Sequence, residues 1–404
     1  MSLFEWSTPE RRARDRDLPI IPNEIHLIIF EYIAPTSTRL SPKQILTLSN
    51  LFRVCRFFAN LCFPRIFECL EFTPCIFVDN IPPARCNDAD RMASRARILC
   101  QQIAAKEPLA LFLSQCVKIC HFTDWKDANE SWCTVHTLSQ LCISGMAHMK
   151  NIRKLQFFRS FVKKAHWDAI TTLGSLEELV FTRCNFVDGP ADVDPGKRLK
   201  VKVPCLLVYG CDSGLQPWAV IDARHVRTLT MDLTFADQVD WISETALIEL
   251  HVFDYSMDMA SHMRVGRILR QIPQFIQVLR LPTDTFTDMD ESLFEDPAWK
   301  KMPLLRSLTL DEAGRSSGMP LMTVVREICE GVRVLKCLQS FTLSAWGPPH
   351  LFVGVSPVEV RRTIQERLND IPALNFVDIY GTTVRLVDGE WIDVGTMPCN
   401  KVVC

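Results

Sequence analysis

The sequence predicts an α/β protein: a helical N-terminal segment followed by a curved, irregular solenoid of parallel strands backed by outer helices. Three observations carry this prediction. An apolar-x-x-apolar-x-apolar string recurs along most of the chain, stretches of helical period separate the strings, and residues 21–62 hold helical stripes with start signals of their own.

Beginning with the N-terminal segment, Ile25, Ile28, Ile29, Tyr32 and Ile33 fall at i, i+3, i+4, i+7 and i+8, on one face of a helix whose first turn accommodates Pro22. A second helix start follows at Ser41-Pro42-Lys43-Gln44, with a capping serine, a proline at the first helical position and a glutamine three residues on. Beyond it, Ile45, Leu48, Phe52, Cys55, Ala59 and Cys62 form one stripe, and Leu51, Val54, Phe58 and Leu61 a second. A segment this short encloses only a small core, so helices apolar on two sides need cover from the rest of the chain or from a partner.

The strings Ile21-Pro22-Asn23-Glu24-Ile25, Ile29-Phe30, Tyr32-Ile33 and Val54-Cys55-Arg56-Phe57-Phe58 occur in that order. Over residues 18–72 they resemble an F-box, whose pattern has a Leu-Pro-x-Glu-Leu/Ile opening and a Val-Cys-(Lys/Arg)-x-Trp/Phe stretch. The departures are Ile21 for leucine, a longer link through Pro35 to Leu40, and Phe58 for the usual tryptophan. The resemblance implies docking on a Skp-family adaptor, which joins a cullin-RING scaffold to form an SCF ubiquitin ligase. By motif position it makes Pro22, Glu24, Ile25, Ile28, Ile29, Leu51, Val54, Cys55 and Phe58 the candidates for the docking face or the small core behind it.

The recurring string occupies residues 152–157, 176–181, 226–231, 247–252, 276–281, 305–310, 338–343 and 374–379, with weaker copies at 67–72, 117–122 and 204–209. Its alternation suits a short strand with alternate residues inward. The fourth residues, Leu155, Leu179, Leu207, Leu229, Leu250, Leu279, Leu308, Phe341 and Val377, are 21 to 36 residues apart, the scale of leucine-rich repeats with insertions. Residues 176–186 are the best copy, because Cys184-Asn185-Phe186 completes the leucine-rich-repeat pattern. Most other copies lack that Cys or Asn, so the backbone ladder is expected to be imperfect.

Between strings, Ser356-Pro357-Val358-Glu359 is a capping box leading into Val360, Ile364 and Leu368. Val265, Ile268, Leu269 and Ile272 form another helical stripe, and Val324, Val325, Ile328 and Val332 a third. Residues 87–103 and 108–115 also read as helices. The expected organisation is a charged tail (1–17), an F-box-like segment (18–72), a helical linker (73–115) and the repeat solenoid (116–404).

Composition bounds the function. The chain has 404 residues, of which 48% are hydrophobic and 23% charged, with 24 Phe and 9 Trp; these values exclude wholesale disorder. A net charge of −2 gives no general attraction to phosphate backbones or anionic membranes, so neither is an expected partner. No apolar run spans a bilayer, residues 1–17 carry no signal-peptide pattern, and Lys401 stands where a prenylation box needs cysteine. The 17 cysteines are odd in number and scattered through apolar runs, as buried reduced thiols are. The expected location is cytoplasmic and/or nuclear.

Cys116, Cys120, His121, Cys133, His136 and Cys142 supply zinc-type ligands, but their spacing fits no standard finger and their alternation with Val117, Ile119 and Leu141 argues for buried thiols. The acidic loop 282–297 lacks the glycine and ligand spacing of an EF-hand; it and loop 187–204 are long insertions. No phosphate-binding, nucleophile-elbow or zincin motif is present. The expectation is therefore a non-catalytic protein without cofactor: an adaptor that binds the Skp-family protein through its F-box-like segment and an unidentified protein substrate through the solenoid. The alternative is a repeat scaffold unrelated to ubiquitin transfer.

Overall fold

The computed structural model describes residues 23–35, 40–54, 56–74, 88–125, 132–187, 200–211, 220–254, 261–283, 297–312, 321–345, 356–368 and 371–394. The tail 1–17, Pro22, Cys55 and nearly all of both long insertions lie outside them, as do the side chains of Cys133 and His136. The chain divides into two compact units, Met1–Val201 and Lys202–Cys404.

The first unit opens with α1 (Asn23–Ile33), α2 (Pro42–Leu51) and α3 (Arg56–Phe67). The start expected at Ser41 is present: its hydroxyl accepts from the Gln44 amide, and the Gln44 side chain accepts from the Ser41 amide at 2.8 Å. Next come β1 (Cys69–Phe72), α4 (Asp88–Ala104), α5 (Pro108–Ser114), β2 (Ile119–Thr123), α6 (Trp132–Met146), β3 (Lys154–Phe158), β4 (Phe161–Val162), α7 (Lys164–Ile170), β5 (Glu178–Thr182) and β6 (Asn185–Phe186). Strands β1, β2, β3 and β5 pair in that order, all parallel, and β4 with β6 forms a small second parallel sheet. The weak copies at 67–72 and 117–122 are thus strands, and the 73–115 stretch contributes helices between two paired strands.

Register explains the repeat string. Leu70, Cys120, Leu155 and Leu179 stand side by side, as do Phe72, Phe122, Phe157 and Phe181, and all eight are buried. The phenylalanines form a continuous file, with ring centroids 4.6, 5.0 and 5.4 Å apart. His166 on α7 meets the rings of Phe122 and Phe157 edge-on, and burial pushes its pKa down to about 4.

The expected gaps in the backbone ladder are filled by unlike donors. Cys184 directs its thiol at the Phe157 carbonyl at 3.3 Å, shared with the Thr182 carbonyl at 3.4 Å, Ser160 its hydroxyl at the Phe122 carbonyl at 3.2 Å, shared with the Phe158 carbonyl at 2.9 Å, and Trp125 donates its indole N–H to the Phe72 carbonyl at 2.9 Å. Each donor follows a residue of positive φ, respectively Arg183 (53°), Arg159 (46°) and Asp124 (60°). One turn therefore repeats three times and aims three different side chains at equivalent carbonyls.

In the second unit, β7 (Cys205–Tyr209), β8 (Thr228–Asp232), β9 (Glu249–Phe253), β10 (Val278–Thr283), β11 (Ser307–Glu312), β12 (Ser340–Ala345) and β13 (Phe376–Ile379) pair successively in parallel. Helices α8 (Ser261–Gln271), α9 (Leu321–Val332) and α10 (Pro357–Leu368) alternate with them, and 3-10 turns at Leu233–Glu244 and Pro297–Lys301 stand where other gaps hold a helix. The stripes Val265/Ile268/Leu269/Ile272 and Val360/Ile364/Leu368 are buried, as are Val325 and Val332.

Here the file of fourth residues is Leu206, Leu229, Leu250, Leu279, Leu308, Phe341 and Val377, each fully buried. It corrects the expectation at one place: Leu206, not Leu207, is the inward residue, and Leu207 pairs with Thr230 on the other face. Two adjacent leucines left the phase of that strand open, and a one-residue slip exchanges the faces.

A second correction concerns the end. The solenoid was expected to run in parallel to residue 404, but β14 (Thr382–Val387) and β15 (Glu390–Asp393) return antiparallel. Tyr380-Gly381 and Asp388-Gly389, all at positive φ, form two-residue hairpin turns, and a parallel crossover needs a dozen residues or more.

Candidate functional site

The carboxyl end of α1 is held while its outer face is not. The Gln44 side-chain amide donates to the Ile33 carbonyl at 2.9 Å and the Arg65 guanidinium to the Ala34 carbonyl at 3.2 Å, satisfying carbonyls that a helix end leaves open. Arg65 also pairs with Glu68, which accepts from Lys118 at 3.0 Å, tying this corner to the start of β2. Ala34, Leu40, Leu48, Cys62 and Ile66 form a small buried core, against which Phe30, Ile33, Ile45, Leu51, Phe52 and Phe67 pack.

Of the apolar stripe on α1, Ile33 packs on that core and the other four members face away from it. Ile25, Ile28 and Ile29 are 44, 64 and 47% exposed, and Tyr32 is 88% exposed. Leu27 shares this exposure, as do Leu46 on α2 and Val54 after it. Several large apolar side chains left in water on one helix are unusual for a surface with no partner.

The motif candidates separate accordingly. Glu24, Ile25, Ile28, Ile29 and Val54 lie at the surface, Leu51 belongs to the packed layer, and Phe58 is half-buried. The Phe58 ring lies 5.7 Å from His26 and 5.5 Å from Phe57, and His26 is 5.9 Å from Phe57, so three rings clamp α1 to α3. Pro22 and Cys55 fall outside the described residues. The docking candidates taken from the motif did not include Leu27, Tyr32 or Leu46, although Tyr32 lies in one of its strings. Tyr32 was legible as a member of the α1 stripe, whereas Leu27 and Leu46 lie off the stripes and give only the signal of excess apolar girth.

Of the zinc-type residues, the side chains of Cys133 and His136 lie outside the described residues. Among the described residues no group of three or more His, Cys, Asp or Glu is placed to hold a metal. Cys100, Cys120 and Cys142 are buried thiols; a hydrogen bond to Cys100 together with burial pushes the Cys142 pKa well up, and burial does the same at Cys120. Thiols held protonated are poor nucleophiles and poor ligands. Among the described residues no helix is long and apolar enough to cross a membrane.

Compared with known proteins, the chain matches no family model and no curated relative.

Proposed function

We propose that this chain is a substrate receptor of an SCF-type ubiquitin ligase. The exposed face of α1, together with the exposed Leu46 and Val54, docks on a Skp-family adaptor, and through it on a cullin-RING scaffold. The repeat sheet presents a protein substrate. No group of this chain enters the chemistry; its contribution is to hold substrate and ubiquitin-charged enzyme near one another, which raises the effective concentration of the reacting groups. The location that fits this role is cytoplasmic and/or nuclear.

One observation supports the reading above the others: four large side chains of the α1 stripe (Ile25, Ile28, Ile29 and Tyr32) stand in solvent although the helix is anchored from behind. A helix serving only to cap the first repeat would turn that stripe inward. The second reading, a repeat scaffold unrelated to ubiquitin, requires α1 to have no adaptor.

The test is co-expression of the full chain with a Skp-family adaptor followed by size-exclusion chromatography. An Ile28→Asp/Val54→Asp variant is the control, because both positions are exposed and the change leaves the small core intact. Co-elution of wild type and not of the folded variant supports the receptor reading. Separate elution of two well-folded proteins overturns it.

A further inference from the structure

In the second unit the chain enters β10, β11 and β12 through the same four-residue turn. The Pro273 carbonyl accepts the Ile276 amide at 3.2 Å, Met302 that of Leu305 at 3.3 Å, and Leu335 that of Leu338 at 3.2 Å. Val278, Ser307 and Ser340 stand level in register, and the Gln277 and Arg306 carbonyls each accept two amides of the next repeat. The three turns are therefore stacked one strand spacing apart, about 4.8 Å. Equivalent side chains form rows along the rim where the strands begin.

In each turn the first and fourth residues are buried and the two between them are exposed. The fourth residues, Ile276, Leu305 and Leu338, belong to the core. The third residues run Phe275, Leu304 and Cys337, and Phe275 and Leu304 are 44 and 48% exposed. Val334, immediately before the third turn, is 43% exposed. Large apolar side chains thus recur at the tips of consecutive turns whose cores are already filled by other residues.

The charges around these tips have one sign. Lys300 and Lys301 precede the second turn, Arg306 follows it and Lys336 lies in the third, all four exposed. None of these four side chains has an ion-pair or hydrogen-bond partner among the described residues. Residues 271–277, 299–307 and 332–340 contain no Asp or Glu. Glu330, ahead of the third turn, is engaged by Arg333 and Arg367 at 2.8 and 3.1 Å. The net charge of −2 for the whole chain conceals this local cationic edge.

The cations call for an anionic partner, and the apolar tips call for a partner with an apolar phase, which a nucleic-acid backbone does not supply. The rim is the end of the strands and not their lateral edge, so it offers an extended polypeptide no ladder to join. An anionic bilayer surface supplies both needs, with negative headgroups for Lys and Arg and acyl chains just beneath them. We infer that the turns leading into β10, β11 and β12 form a contact site for an anionic lipid surface. Phe275, Leu304 and Val334 enter the interface, and Lys300, Lys301, Arg306 and Lys336 lie at headgroup level. This is peripheral attachment, separate from the α1 face and independent of the adaptor reading.

The test is co-sedimentation of the full chain with sucrose-loaded vesicles of phosphatidylcholine and phosphatidylserine in a two-to-one ratio, beside vesicles of phosphatidylcholine alone. Wild type is expected to partition onto the anionic vesicles only. Lys301→Glu/Lys336→Glu and Phe275→Ser/Leu304→Ser, all at exposed positions, should each partition at least tenfold more weakly while their thermal unfolding matches wild type. Lys301→Gln/Lys336→Gln, which removes charge without reversing it, should also weaken partition and serves if the glutamates disturb folding. Ile28→Asp/Val54→Asp should partition as wild type does. Failure of well-folded wild type to sediment with the anionic vesicles overturns the inference, as does undiminished partition of the rim variants or a loss confined to Ile28→Asp/Val54→Asp. Wild type that ignores vesicles but binds fluorescent poly-glutamate, with loss in Lys301→Glu/Lys336→Glu, overturns the lipid assignment and gives the rim to an acidic polypeptide.

Discussion

The thiol of Cys184 is directed at the carbonyl of Phe157, one repeat upstream, across 3.3 Å. Ser160 and Trp125 repeat this relationship on Phe122 and Phe72, so the first unit holds its turns together by a ladder of unlike donors. Removing a buried donor strands its carbonyl at about 1–3 kcal/mol. Ser160→Ala is therefore expected to destabilise the protein by roughly 1–2 kcal/mol in denaturant unfolding, and Trp125→Phe by at least as much because the indole is also buried. Unchanged midpoints would mean that the ladder is incidental.

Leu279 stands between Leu250 and Leu308 in the central file of the second unit and has no exposed surface. Truncation to alanine leaves a cavity that parallel neighbours on both sides hinder from closing. A loss of about 3–5 kcal/mol is expected. The same change at Leu207, on the other face and only half-buried, should cost under about 1.5 kcal/mol by equilibrium denaturation.

His166 is buried between phenylalanines with its pKa pushed from 6.5 down to about 4. The unfolded chain binds a proton at higher pH than the folded one, so this contribution to stability is complete above pH 6.5 and is lost as pH falls toward 4. The full loss is about 3 kcal/mol. His166→Phe should flatten the stability profile over that window, whatever it does to stability at neutral pH.

Asp232 has the opposite sign. Burial raises its pKa from 3.8 to about 6, so the folded protein is destabilised progressively as pH rises through that interval. Asp232→Asn retains an acceptor for the Gly210 amide and removes the buried charge. A gain of roughly 1–3 kcal/mol at pH 7.5 is expected, shrinking toward zero near pH 4.

The strands were legible because each string places three apolar residues at offsets that one parallel register buries together, as Ile276, Leu279 and Leu281 show. The phase of β7 was not, since Leu206 and Leu207 satisfy the pattern equally. Asp388-Gly389 is a readable hairpin signal that the continuing repeat obscured. The ladder donors were hidden for a chemical reason: indole, hydroxyl and thiol share no pattern, and only the preceding positive-φ turns make Trp125, Ser160 and Cys184 equivalent. On α1, periodicity found the stripe Ile25/Ile28/Ile29/Tyr32/Ile33, whose first four members are exposed while Ile33 packs on the small core. Its outward direction is set by the anchoring of Ile33 and Ala34 through Gln44 and Arg65, contacts at sequence separations of 11 and 31 that no local pattern contains.

Affinity of the purified chain for a purified Skp-family adaptor, measured by isothermal titration calorimetry, tests the central claim most directly. The account predicts a one-to-one complex, weakened at least a hundredfold by Ile28→Asp/Val54→Asp and unchanged by Asp232→Asn. No heat of binding from well-folded wild type, or equal affinity for the Ile28→Asp/Val54→Asp variant, would contradict it.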